Sequence, residues 1–218
     1  MQCKNSTIMK LCKLLIFTIL LFGNLGLLKA GKPLSTPGIG NTVIVSLNDN
    51  VKSNYFPKSM IEEESGIPYD KIEAVYNGTV INVIKDMFES EVIALNMNQE
   101  TNDFIDEIIV TGEDENVYSD LSKIETELYD NILDKHKAEY VLIINQHYLK
   151  WQETPLRTLF HFISYSVFDD KKNEVTRGSE YFTSMDLLNE QQLQKKCRKT
   201  SKKIASEVKD ALAKNTVR

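Results

Sequence analysis

Tyr140–Ile144 is an unbroken apolar run, and a strand without polar alternation has to be covered on both of its faces. The rest of the chain must therefore supply that cover. The run continues through Asn145–Trp151, turns at Glu153-Thr154-Pro155 and resumes as Arg157–Phe168. In this second stretch Leu159, Ile163, Tyr165 and Val167 share one face, and Phe160, Phe162 and Phe168 share the other, the two-residue period of a strand. The polar stretch Asp169–Asn173 makes a hairpin turn into a third strand, Val175–Thr183.

Helical periodicity supplies the cover. Val80, Ile84, Met87, Phe88, Val92 and Leu95 recur at three and four, which predicts an amphipathic helix over Thr79–Leu95. Leu121, Ile124, Leu128 and Ile132 mark a second helix, Val117 to Lys135. Leu193, Cys197, Ile204, Val208 and Leu212 mark a last one from Asp186, placed as its N-cap, to Lys214. Val43-Ile44-Val45 with Leu47 reads as a first strand and Phe104–Val110 as another, with a short helix at Ser59–Glu64 between turns at Pro57, Gly66 and Pro68. The order is β-α-β-α-β-β-β-α: a single α/β domain over residues 42–214, a mixed sheet with flanking helices. At 218 residues, 42% hydrophobic and 26% charged, the chain is long and apolar enough for one sizeable core.

The amino terminus speaks about compartment. Lys4, Lys10 and Lys13 precede LLIFTILLFGNLGLL, residues 14–28, and no acidic residue occurs before Asp49. Fifteen helical residues rise about 22 Å, short of a hydrocarbon core of about 30 Å. A basic start, a short apolar centre and Leu28-Lys29-Ala30 before Gly31 are the layout of a secretory signal peptide over residues 1–30, followed by a flexible lead-in over 31–41. The expected location is the periplasm of a Gram-negative bacterium, or outside the cell. The sequon Asn77-Gly78-Thr79 is read as chance. Removing the four Lys of residues 1–30 from 26 basic residues leaves 22 against 31 acidic, a formal charge of −9. Such a surface does not draw nucleic acid or anionic lipid by net charge. Cys3 and Cys12 depart with the signal, leaving Cys197 without a partner for an internal disulfide, and no lipidation cysteine follows the apolar stretch. The expectation is a protein with no strong membrane association after signal cleavage.

Motifs that carry chemistry are scarce. The three histidines, His136, His147 and His161, show no HExxH spacing, and CxxC, GxSxG and phosphate-binding glycine loops are absent. No catalytic residue, cofactor or metal site is assigned. His147 and His161 lie on strands joined by a short turn, so a histidine–carboxylate site formed only in the fold is the enzymatic alternative. Cys197 has Lys195, Lys196, Arg198 and Lys199 beside it, yet its place on an apolar stripe favours the core. Glu113-Asp114-Glu115 reads as the acidic start of the second helix. Nine Lys and Arg from Lys195 to Arg218 read as the solvated face of the last helix, with contact to an acidic partner or lipid headgroups as the alternative. The turn after the central strand carries the only Trp, giving a candidate interaction loop of Tyr148, Trp151 and Arg157, the residue types that dominate binding hot spots. Trp151 as a cover for the core edge is the competing reading.

Ala138-Glu139-Tyr140 opening the apolar strand, and Val167-Phe168-Asp169 ending the next one before a turn, a strand and a terminal helix, resemble a group of periplasmic α/β domains. The group comprises the lipoprotein activators of penicillin-binding proteins and the amino-terminal domain of the Tol-system propeller protein. The resemblance implies helices around a mixed sheet and a non-enzymatic accessory role, exercised by binding another envelope protein. No functional residue transfers from it. The alternative remains a hydrolase-type enzyme of the periplasm.

Overall fold

The computed structural model describes residues 40–88, 92–94 and 99–215; the expected signal peptide and most of the lead-in lie outside them, as does Leu95. The elements in chain order are β1 (Thr42–Ser46), β2 (Val51–Ser53), α1 (Lys58–Ser65), a 3-10 turn (Tyr69–Lys71), α2 (Ile72–Met87), β3 (Val92–Ala94) and α3 (Gln99–Asp106). There follow β4 (Ile109–Glu113), β5 (Asn116–Asp120), α4 (Thr126–His136), β6 (Tyr140–Gln152), β7 (Thr158–Asp169), β8 (Glu174–Ser184) and α5 (Glu190–Asn215). They form an α/β fold with helices on both sides of a mixed sheet. Among the described residues no helix is long and apolar enough to cross a membrane.

The sheet has the order β3-β1-β6-β7-β8, with β2 also pairing with β6. β1, β2 and β3 run parallel to their partners, while β6, β7 and β8 form an antiparallel meander. The apolar run of β6 is covered twice, as its composition demanded. On one side Leu142, Ile144, Ile163 and Tyr165 pack on Val80 and Ile84 of α2 and Ile204 and Val208 of α5. On the other, Val141 and Ile143 pack on Phe104 of α3 and Tyr129, Ile132 and Leu133 of α4. A third cluster joins Val51, Leu149 and Leu159 to Ile61, Ile72, Tyr76 and Leu193.

A bulge divides β6. β1 ends with Ser46 opposite Ile144, β2 begins with Val51 opposite His147, and the β6–β7 register slips between Ile144 and Gln146. Residues 47–50 arch across the gap. The Ile144 carbonyl accepts from the Leu47 N–H (3.2 Å) and from the Asn50 amide (3.3 Å), and the His147 N–H donates to the Asn50 carbonyl (2.8 Å). The extra residue sends Asn145 and Gln146 to the same side of the sheet, so polar side chains interrupt the alternation of an otherwise apolar strand.

Several sequence expectations change. The helix expected over Thr79–Leu95 begins earlier, at Ile72, and Val92 belongs to β3, parallel to β1. Phe104–Val110 is not one strand: buried Thr101, Phe104, Ile105 and Ile108 follow a helical spacing, and α3 ends at Asp106 before β4. The second helix starts at Thr126 rather than Val117, because Val117 and Ser119 are the inward residues of β5 in a β4–β5 hairpin. Gly112 takes φ +98°, and a Cβ there would lie 1.9 Å from the Asn116 carbonyl oxygen, so the hairpin needs a glycine at this position. Glu113 therefore ends β4 and Asp114-Glu115 make the turn, not a helix start. Asp186 is not the cap of α5. Asn189 is: its Oδ1 accepts from the Gln192 N–H (3.0 Å), and Gln192 Oε1 accepts from the Asn189 N–H (3.2 Å), a reciprocal capping box. Ile143, Ile144 and Ile163, expected in the core from the strand pattern, are buried, while Phe162 and Leu128, expected there too, are half-buried.

Candidate functional site

At the far end of β6 the aromatic side chains converge. Trp151 lies beside Tyr55, rings stacked with centroids 6.1 Å apart, and meets Phe56 edge-on at 5.7 Å. The Arg157 guanidinium sits 4.9 Å from the Trp151 ring centre, within cation–π range. Tyr55 is 57% exposed and Trp151 half-buried. A cavity of about 390 Å³ opens here, with Glu64, Glu153 and Asp186 among its lining residues.

Local hydrogen bonds fix this arrangement. Ser53 Oγ donates to the Leu149 carbonyl (2.7 Å) and accepts from the backbone N–H groups of Tyr55 (3.1 Å) and Phe56 (3.0 Å). Asn54 continues the ladder with its side chain: Oδ1 accepts from the Trp151 N–H (2.7 Å), and Nδ2 donates to the Trp151 carbonyl (3.2 Å). The loop after β2 is thus held against the end of β6, and the aromatic rings stand on an ordered edge.

The three residues of the expected interaction loop are not brought together. Trp151 and Arg157 stack on each other, but Tyr148 points to the other side of the sheet, where its hydroxyl donates to Asp114 Oδ1 (2.8 Å). Burial and this carboxylate push the Tyr148 phenol up to about 12. Lys150, on the same side, donates to both carboxylate oxygens of Glu115 (2.9 and 3.0 Å). The acidic turn of the hairpin is therefore docked onto β6. Tyr55, exposed, and Phe56, buried, are a further part of this site, and the adjacent aromatic pair between Ser53-Asn54 and Pro57 is the sequence signal for them.

The histidines have other occupations. His147 is buried, its Nε2 lies 3.1 Å from Asn77 Oδ1, and Asn77 and Asn50 exchange reciprocal amide bonds of 3.0 Å. His161 Nε2 lies 2.8 Å from Ser184 Oγ, while its buried Nδ1 has no partner among the described residues. Burial pushes both imidazoles down to about 3, with His147 adding to the effect on His161. Neither has a carboxylate partner among the described residues. The sequon residue Asn77 is buried in this network. Cys197 is 2% exposed, with Sγ 3.1 Å from Ser201 Oγ, and burial pushes its thiol up to about 11. Its cationic neighbours all lie on the exposed side of α5. Among the described residues no group of three or more His, Cys, Asp or Glu is placed to hold a metal ion.

No protein-family model matches the chain, and no curated protein matches it. Among solved structures it is similar to the PelC dodecamer from Paraburkholderia phytofirmans, at 8% identity over 75% of this chain and 86% of that one, with a TM-score of 0.38. It is also similar to the hypothetical protein CT253 from Chlamydia trachomatis, at 11% identity over 78% of this chain and 98% of that one, with a TM-score of 0.46. No residue role is carried over from either.

Proposed function

We propose that the chain is an exported, non-enzymatic accessory protein of the cell envelope that binds another envelope protein through the Tyr55–Trp151–Arg157 surface. The observation that carries this reading is the open aromatic edge itself. An indole stands beside an exposed phenol and a guanidinium, on backbone that Ser53 and Asn54 hold in place. Aromatic and Arg anchors on a rigid support are the usual makings of a binding hot spot. The surrounding Glu64, Glu153 and Asp186 carboxylates favour a partner that inserts an apolar side chain flanked by basic ones. Export is supported by the basic-then-apolar amino terminus, and the acidic net charge argues against a nucleic-acid partner.

The experiment is capture from crosslinked envelopes with wild-type protein and Trp151→Ala. Specific loss of a captured envelope protein, with the variant still folded by circular dichroism, is the expected result. An identical set of captured proteins overturns the surface. Intact-mass analysis of exported material tests the compartment: a mature chain beginning at or near Gly31 is expected, and a chain retaining residues 14–28 contradicts it.

A further inference from the structure

The second open site lies on the other side of the sheet, where β1 stops and β6 continues. The chain order places β3 on one side of β1 and β6 on the other, and in open α/β sheets the crevice beyond the carboxyl ends of strands at such a switch point is where ligands bind. Here that crevice is a cavity of about 390 Å³ between the arch 47–50, α3 and the β4–β5 hairpin, within the size range of small-molecule sites. Leu47, Ile105, Ile108, Val110 and Val117 form its apolar wall.

Its polar groups divide into those already used and those free to receive a ligand. Asn145 is spent: Oδ1 accepts from Ser119 Oγ (2.7 Å), and Nδ2 donates to the Val117 carbonyl (3.1 Å) and to Ser166 Oγ (3.0 Å). Asn50 is spent on Asn77 and the Ile144 carbonyl. Asp49 is neutralised by Lys52 and Lys58. Gln146 differs. The bulge turns it into the cavity, it retains only 9% of its surface, and its amide has no hydrogen-bond partner among the described residues. The amide opens onto the cavity, where a group that enters can pair with it. At the mouth, Asp106 is exposed; among the described residues its side chain accepts a long bond (3.4 Å) from the Asn48 amide and is paired with no cation.

We propose that this cavity binds an α-amino amide with an apolar side chain: its amide pairs with Gln146, its side chain lies against Ile105, Ile108 and Val117, and its ammonium group meets Asp106. A free amino-acid amide and the amino terminus of a peptide share this chemistry. The site is independent of the Trp151 surface, which lies on the opposite side of the sheet.

The test is an NMR titration of the full chain at neutral pH with leucinamide, leucine and 4-methylpentanamide, the last lacking the amine. Leucinamide is expected to give saturable shifts at Gln146, Ile105 and Ile108 with a millimolar dissociation constant, in line with small-ligand efficiencies. Leucine and 4-methylpentanamide should bind about tenfold more weakly, the cost of one lost charged or paired contact. Gln146→Leu should weaken leucinamide about tenfold, and Asp106→Asn should abolish the preference for leucinamide over 4-methylpentanamide. If Gln146→Leu does not fold, the ligand series and Asp106→Asn decide alone. A leucyl peptide amide that binds more tightly than leucinamide assigns the site to peptide termini, and weaker binding assigns it to the free amide. No saturable shift with leucinamide, or equal binding of all three ligands, overturns the proposal.

Discussion

The two halves of β6 have opposite characters. Residues 140–144 are apolar, fully buried and covered by helices on both sides; residues 145–152 carry Asn, Gln, His, Tyr, Lys and Trp, and end beside an open cavity and an exposed aromatic cluster. The bulge at Asn145 separates them, where the neighbouring strand changes from β1 to β2. One continuous strand thus serves as the core of the domain at one end and as the support of two open surfaces at the other. The difference shows how a rigid element can present polar and aromatic groups at fixed positions without giving up its own packing.

The comparison breaks most severely in the lower half. Ile144→Ala removes a side chain with no exposed surface, between α2 and α5, and should cost about 2–5 kcal/mol by urea unfolding. An unchanged midpoint would mean that this half is not the core.

Acid should act next, through the upper half. His147 and His161 stay neutral in the fold, with values near 3, whereas the unfolded chain protonates near 6.5. A value lowered by folding means that the unfolded state takes up protons first. Stability is therefore full above about pH 6.5 and declines as pH falls toward 3. Going from pH 7.5 to 5.5 should cost about 1.4 kcal/mol per histidine, about 3 kcal/mol for the pair. Urea titrations at the two pH values check this, and a His147→Gln variant should show about half the dependence.

At the bulge, Asn145→Ala leaves the Ser119 and Ser166 hydroxyls and the Val117 carbonyl without their shared partner. A loss of about 1–3 kcal/mol is expected, with the hairpin amides exchanging faster than those of residues 141–144 in hydrogen-exchange experiments. A uniform rise in exchange would show that the hairpin and the lower half unfold as one unit.

The meander β6–β7–β8 and α5 were legible because their periods are long and unmixed: Leu159, Ile163, Tyr165 and Val167 alternate with Phe160, Phe162 and Phe168 as a strand must. The elements before them were harder to read. β2 and β3 have three residues each, too few for any period, and Phe104-Ile105 next to Ile108 looks like a strand until Thr101 is counted on the same helical stripe. The bulge left no mark in the sequence beyond two polar residues after an apolar run. At the candidate site, Trp151 and Arg157 meet across a short turn and were found together. Tyr55 reaches Trp151 only because β2 pairs with β6, residues about a hundred positions away, a contact that no local pattern encodes. Tyr148 does not join Trp151 because, three positions apart on a strand, they face opposite sides.

The smallest effect on stability should come from Tyr55, and it tests the central claim most directly. Its ring is more than half exposed, so Tyr55→Ala should change the unfolding free energy by less than about 0.5 kcal/mol. Envelope capture with this variant, measured beside its melting curve, is the decisive observation. The account predicts an unmoved melting curve and loss of the captured envelope protein. A captured set identical to that of the wild type would contradict it, and would leave the aromatic edge as part of the fold alone.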